Sequence, residues 1–258
     1  MDKVLFNNRK VGLVKEFVRF CLRTVLRLMK AKCIFEFDVN NLPKKGVYVV
    51  NHVSYLDPIL LFAFLPGNPV FALNGHLYRR HWISFLMGRA DVIKFNPIEP
   101  SDIKKLIAKV DEGRLVVIFA EGRITENGGL MKIYEAPGLV ADKSKSPIIP
   151  VWIDGPQYGY FSKTKGKLPH RPLPKMRIYV GEPRSFKLKD ELRRQRDHIS
   201  NEVYMILREM CFNINYDKNI SLFAQLMKTA KVYSRTGFFS KRPRIIEDIN
   251  RKQKSYKD

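Results

Sequence analysis

The chain has 258 residues, and its 47 Lys+Arg against 25 Asp+Glu give a formal net charge of +22. That length suits one large domain or two small ones, and 45% hydrophobic with 12% aromatic residues exclude wholesale disorder. Cys21, Cys33 and Cys211 are far apart; they fit neither a disulfide framework nor a zinc site and indicate a reducing compartment. So large a charge calls for a polyanion, whether nucleic acid, an anionic membrane or an acidic protein. Composition alone does not choose among them.

The first element is a helix over Leu13–Met29. At about 100° per residue, Lys15, Arg19, Arg23, Arg27 and Lys30 share an arc of roughly 120°. The opposite arc carries Leu13, Val14, Phe17, Val18, Phe20, Cys21, Val25, Leu28 and Met29. Cations on one side and bulky apolar groups on the other describe an interfacial helix, with Lys15, Arg19, Arg23 and Arg27 at the membrane interface. The same pattern also fits a surface helix packed on its own domain. No cleavable signal is expected, and Pro58–Tyr78, though free of charge, is broken by Pro66-Gly67-Asn68-Pro69 and reads as a buried short helix, not a span.

Next, Cys33–Val39 alternates at period two and reads as a strand, and Leu42–Gly46 is a turn before a buried strand at Val47–Val50. Ser101–Val110 has a helical period, with Ser101 placed as N-cap and Gly113 as the stop. Leu115–Phe119, Ile148–Ile153 and Met176–Val180 are further strands, and the prolines Pro147 and Pro150 assign the second of these to a sheet edge or end. Helices are expected over about 189–212 and 221–234, followed by a mobile charged tail over 240–258. Strands alternating with helices predict an α/β sheet covered on both faces. The boundaries read as an amphipathic helix over 1–32, an α/β core over 33–185, and C-terminal helices with a basic tail over 186–258.

Two blocks carry chemistry. Asn51-His52-Val53-Ser54-Tyr55-Leu56-Asp57-Pro58 follows a buried strand directly, where α/β sheets place their sites. Pro58 suits a helix start and makes Asp57 the N-cap, so that a turn can fold Asp57 back on the His52 ring, hold its tautomer and leave the other nitrogen as general base. A His at a strand end and an Asp capping a helix is the bland alternative. The second block, Glu121-Gly122-Arg123, also follows a buried strand and offers an acid, a close-approach glycine and a phosphate-binding cation; a solvated surface turn is its alternative.

Asn51-His52-x-Ser54-x-x-Asp57, then Phe119-x-Glu121-Gly122-Arg123, then Ile149-Pro150-Val151, resembles the glycerolipid acyltransferase family, which includes 1-acylglycerol-3-phosphate acyltransferases. The resemblance covers about Val47–Val180 and implies a glycerol-3-phosphate-acyltransferase-like mixed sheet flanked by helices. It implies that His52 and Asp57 are catalytic, that Glu121, Gly122 and Arg123 bind the acceptor, and that Asn51, Ser54 and Pro150 support the motifs. Ala120 stands where the family commonly has Pro. The region Gly88–Pro97 lacks the Arg that lysophosphatidate enzymes carry, with Lys94 as a possible substitute. A phosphomonoester wants several cations, so this absence suits a diester acceptor.

Glu121–Thr125, Leu130–Tyr134 with Lys132, and Phe161-Ser162-Lys163 resemble the acyltransferase half of the bifunctional 2-acylglycerophosphoethanolamine acyltransferase/acyl-ACP synthetases. That likeness implies acylation of 2-acylglycerophosphoethanolamine, with 1-acylglycerol-3-phosphate as the alternative acceptor. It implies acyl-ACP or acyl-CoA as co-substrate, no cofactor, and a separate acyl-ACP synthetase chain as a possible partner. An anionic membrane surface, a lysophospholipid and a carrier protein or CoA thioester complete the expected partners, at the cytoplasmic face of the inner or plasma membrane. No Gly-x-Ser-x-Gly, HExxH, P-loop or GxGxxG motif occurs, so neither a serine nucleophile nor a metal is expected, and Ser54 is read as structural. The rival class is a nucleic-acid-binding protein, against which stands the lack of any recognisable binding signature.

Overall fold

The computed structural model describes residues 2–74, 85, 87–96, 98–164, 166–185 and 196–217. The chain divides into two compact units, Met1–Phe212 and Asn213–Asp258, and the sheet and both motif blocks lie in the first. The helix expected at 221–234, the tail at 240–258 and residues 189–195 of the other C-terminal helix lie outside the described residues.

The apolar runs become strands: β1 (Ala31–Phe35), β2 (Gly46–Val50), β3 (Val70–Leu73), β4 (Asp91–Lys94), β5 (Leu115–Phe119), β6 (Ile148–Asp154) and β7 (Met176–Val180). The described residues pair them as one seven-stranded sheet in the order β1-β7-β6-β2-β5-β3-β4. From β6 to β4 every pairing is parallel; β7 runs antiparallel to β6, and β1 lies parallel to β7. The sheet is mixed, as expected. Every residue of β2, β3 and β5 is buried, because parallel strands need cover on both faces.

Among the described residues five helices supply that cover: α1 (Asp2–Leu28), α2 (Asp57–Phe64), α3 (Pro100–Asp111), α4 (Ala136–Lys143) and α5 (Arg196–Asp217). Alternation along the strands sorts the core into two layers. Tyr48, Val50, Phe71, Leu73, Val117 and Phe119 meet α2 and Leu26 of α1 on one face. Val47, Val49, Val70, Ala72, Val116 and Ile118 meet Leu106 and Val110 of α3, Val140 of α4 and Ile199, Val203 and Leu207 of α5 on the other. No described helix is long and apolar enough to cross a membrane.

Several local expectations are corrected. The first strand ends at Phe35, because Asp38 accepts the Asn40 N–H at 3.0 Å and turns the chain into a 3-10 turn. Ser101 is not the cap of α3: Glu99 is, without a side-chain bond, and Pro100 opens the helix. Gly113 follows the last turn as expected. β6 is an interior strand, not an edge. Pro150 is tolerated there because its carbonyl accepts from Gly181 at 2.9 Å while the ladder to β7 begins one residue later, at Val151 opposite Val180. Its missing N–H therefore falls where that ladder ends.

The largest correction concerns α1. Lys15 and Arg19 are buried, while Phe17 and Phe20 are 67% and 65% exposed and Leu13 and Leu28 more so. The cationic arc turns inward at Lys15, Arg19 and Arg23, while Arg27 and Lys30 stay exposed. Arg19 donates through Nε to Phe62 O at 3.0 Å and through a terminal nitrogen to Leu65 O, and Arg23 Nε donates to Ala63 O at 2.9 Å. These carbonyls end α2, where the helix has no partners of its own and its dipole is negative. Lys15 reaches Asp91 at 3.7 Å. Lys15 and Arg19 therefore bind the protein and not lipid headgroups.

Candidate active site

Both motif blocks sit at the carboxyl edge of the sheet, where neighbouring β2 and β5 end side by side with Val50 opposite Phe119. Past Val50 the ladder is continued by a side chain. Asn51 donates through Nδ2 to Ile153 O at 3.0 Å and accepts from Ile153 N–H at 2.7 Å, which fixes the start of the loop to β6.

The loop then folds back on itself. Asp57 Oδ2 accepts from His52 Nδ1 at 2.8 Å, from Val53 N–H at 2.7 Å and from Ser54 N–H at 2.8 Å. Leu56 is the N-cap of α2 and Asp57 its first residue, so the expected capping role is corrected by one position. The carboxylate faces back along the chain because it ties down two loop amides and the imidazole together. Asp57 is fully buried and His52 is 5% exposed. An acceptor-only carboxylate at Nδ1 places the ring proton there and leaves Nε2 with its lone pair.

Three contacts that the sequence did not announce hold the imidazole. Its ring stacks on Phe119, the last residue of β5, with centroids 4.2 Å apart and planes 27° from parallel. Its backbone N–H donates to Glu121 Oε1 at 2.9 Å, and its carbonyl accepts from Thr125 N–H at 2.8 Å. Ser54 Oγ donates to Phe161 O at 3.1 Å, which also accepts from Tyr55 N–H, so the loop carrying Phe161 braces the motif. Ser54 is thereby engaged as a structural donor. An aromatic at the end of β5 was visible in the sequence, but its partner was fixed only by the β2–β5 register.

Glu121 is placed differently from what the resemblance implied. It is 1% exposed, and its second oxygen accepts from Met131 N–H at 2.9 Å. Burial pushes its pKa up to about 7, against the two N–H bonds and Arg123, which pull it down. Both oxygens are used inside the protein, so Glu121 joins the two blocks instead of facing an acceptor. Gly122 makes the turn at φ +62°. Arg123 is exposed beyond it, and Lys132 and Lys94 are exposed too. Lys94 ends β4, three strands from β2 and so about 14 Å across the sheet. Among the described residues, no group of three or more His, Cys, Asp or Glu is placed to hold a metal.

A buried His–Asp pair whose Nε2 has no hydrogen-bond partner among the described residues is an arrangement able to take up a proton as a general base. Residues 35–154, which hold both blocks, match the family model described as Acyltransferase. A 1-acyl-sn-glycerol-3-phosphate acyltransferase of Bacillus subtilis is 28% identical over 174 residues, covering 64% of this chain and 81% of the relative. The crystal structure of the 1-acyl-sn-glycerophosphate acyltransferase of Thermotoga maritima has the same fold, with a TM-score of 0.56 and 17% identity over 79% of this chain and 82% of that one. These likenesses, over residues 35–154 and over 64% of the chain, support an O-acyltransferase.

Proposed function

We propose that the enzyme moves an acyl group from a thioester, acyl-CoA or acyl-ACP, to the free hydroxyl of 1-acylglycerol-3-phosphate, making phosphatidate. The likeness to the B. subtilis relative, over 64% of this chain, supports this acceptor. His52 Nε2 takes the hydroxyl proton as the acceptor oxygen bonds to the thioester carbonyl carbon. The tetrahedral intermediate collapses with cleavage of the C–S bond, and the departing thiolate takes the proton from the imidazolium. Asp57 holds the ring and balances its charge throughout. Arg123, at the mouth beyond Glu121, meets the phosphate.

The acceptor expected from the sequence, 2-acylglycerophosphoethanolamine, is the second reading. It is favoured by the distance of Lys94 from β2, which leaves Arg123 with little help for a dianionic phosphomonoester. Both named relatives are lysophosphatidate enzymes. Purified protein assayed with a panel of lysolipids and both donors decides: diacyl product chiefly from lysophosphatidate is expected, and turnover confined to 2-acylglycerophosphoethanolamine overturns the proposal.

The enzyme meets its lipid substrate through α1. Leu13, Phe17, Phe20 and Leu28 point away from the protein, and this apolar face, not the cationic one, lies on the membrane. Phe17→Ser/Phe20→Ser is expected to abolish sedimentation with phosphatidylcholine vesicles at unchanged thermal stability. Retained sedimentation refutes this orientation.

A further inference from the structure

Between the second half of α1, strand β1 and the end of α2 lies a cavity of about 590 Å³. Its walls carry Arg23, Arg27 and Lys32 together with Ile34, Phe35 and Phe64, and none of His52, Asp57, Glu121 or Arg123 lines it. It is a place apart from the acyl-transfer centre.

The cations lining this cavity have no acidic side chain among the other lining residues. Arg23 spends Nε on Ala63 O, and Arg27 and Lys32 have no hydrogen-bond or ion-pair partner among the described residues. Burial lowers the pKa of Arg23, with Arg19 and Arg27 adding to the shift and Glu16, which does not line the cavity, opposing it. The arginines follow one another at i, i+4 along α1, a like-charge spacing that is unfavourable unless an anion neutralises it.

The remaining wall is apolar. A polyanion such as nucleic acid would leave Ile34, Phe35 and Phe64 without a partner, whereas an amphiphile satisfies both halves of the lining. A pocket of this volume takes a headgroup and the first part of a chain. The outward apolar face of α1, with Phe20 and Leu28 on the same helix, opens onto the source of such a molecule.

We infer that this cavity binds one anionic phospholipid of the surface on which the enzyme sits. Its phosphate lies among Arg23, Arg27 and Lys32, and one acyl chain lies along Ile34, Phe35 and Phe64. The inference rests on the reading that α1 lies on lipid. Such a ligand would tie activity to surface composition without entering the reaction.

The test uses the full chain with monomeric dihexanoyl phosphatidylglycerol or dihexanoyl phosphatidylcholine, followed by calorimetry. Saturable binding of one phosphatidylglycerol per protein is expected, with phosphatidylcholine at least about tenfold weaker. Arg27→Gln/Lys32→Gln, two exposed positions, should remove that preference by about the same factor while sedimentation with pure phosphatidylcholine vesicles is unchanged. Phe17→Ser/Phe20→Ser should lose the vesicles and keep the short-chain lipid, which separates failure of the cavity from failure of the α1 reading. Equal affinity for the two headgroups, indifference to the double substitution, or displacement of the lipid by CoA would each overturn the inference.

Discussion

Glu121→Gln tests whether this carboxylate serves His52 or the acceptor. In the wild type two oxygens meet two buried amides, His52 N–H and Met131 N–H, each at 2.9 Å. Glutamine keeps the shape but supplies one oxygen, so its amide group must face an N–H donor. One bond is lost and a buried donor is left unpaired, costing about 1–3 kcal/mol of stability. The backbone of His52 then shifts, and a misplacement of about 1 Å lowers kcat by up to about 100-fold.

A second signature follows from the ionisation of Glu121. Burial raises its pKa from the ordinary 4.5 to about 7. The folded state therefore holds the proton more tightly than the unfolded one. The stability contributed is complete below about pH 4.5 and is lost as pH rises through about 7, by roughly 3 kcal/mol. Thiol release from acyl-CoA gives kcat and KM, and urea unfolding between pH 4 and 8 gives the stability. The variant should show a depressed kcat, a little-changed acceptor KM and a flatter stability profile over that range. A wild-type kcat with a raised acceptor KM would refute the positioning role. Parallel stability profiles would refute the assigned cause of the shift.

Other outcomes are fixed by the same geometry. His52→Ala should remove transfer by a factor of at least about 10³ with the circular dichroism spectrum kept; residual turnover near wild type sinks the general-base mechanism. Asp57→Asn can keep the three donors on its carbonyl, but it loses the charge that balances the imidazolium, so kcat should fall about 10²- to 10⁴-fold, read in the same thiol assay. Arg19→Ala strands the Phe62 and Leu65 carbonyls and should cost about 2–4 kcal/mol in urea unfolding, whereas its exposed neighbour Glu16→Ala should cost under about 0.5 kcal/mol. Gly155 sits at φ +108° with a Cβ position 1.9 Å from Lys175 O, so Gly155→Ala should lower stability by at least about 3 kcal/mol or prevent folding; a melting temperature near wild type would contradict that backbone.

Much of this protein is written locally. The strands β2, β5 and β7 are continuous or alternating apolar segments bounded by turn residues, and nearest-neighbour patterning is enough to define them. His52 and Asp57 are separated by one short loop, so their meeting follows from a strand end and a proline-led helix start. Even so, the helix began one residue earlier than capping rules implied, because the carboxylate was needed by the loop amides behind it.

The tertiary structure decided the rest, wherever a group's partner is distant along the chain. Pro147 and Pro150 pointed to an edge or an end; β6 is interior, with Pro147 just before its start and Pro150 where the ladder to β7 stops. Glu121 resembled an acceptor-binding acid until the β2–β5 register brought His52 N–H to it. Above all, the periodicity of α1 gave two faces without saying which one turns inward. The carbonyls left open at the end of α2 chose the cationic face, because buried backbone acceptors need donors more than the sheet needs another apolar layer. The outward apolar face and the crowding of Arg23 and Arg27 at the cavity are both consequences of that choice.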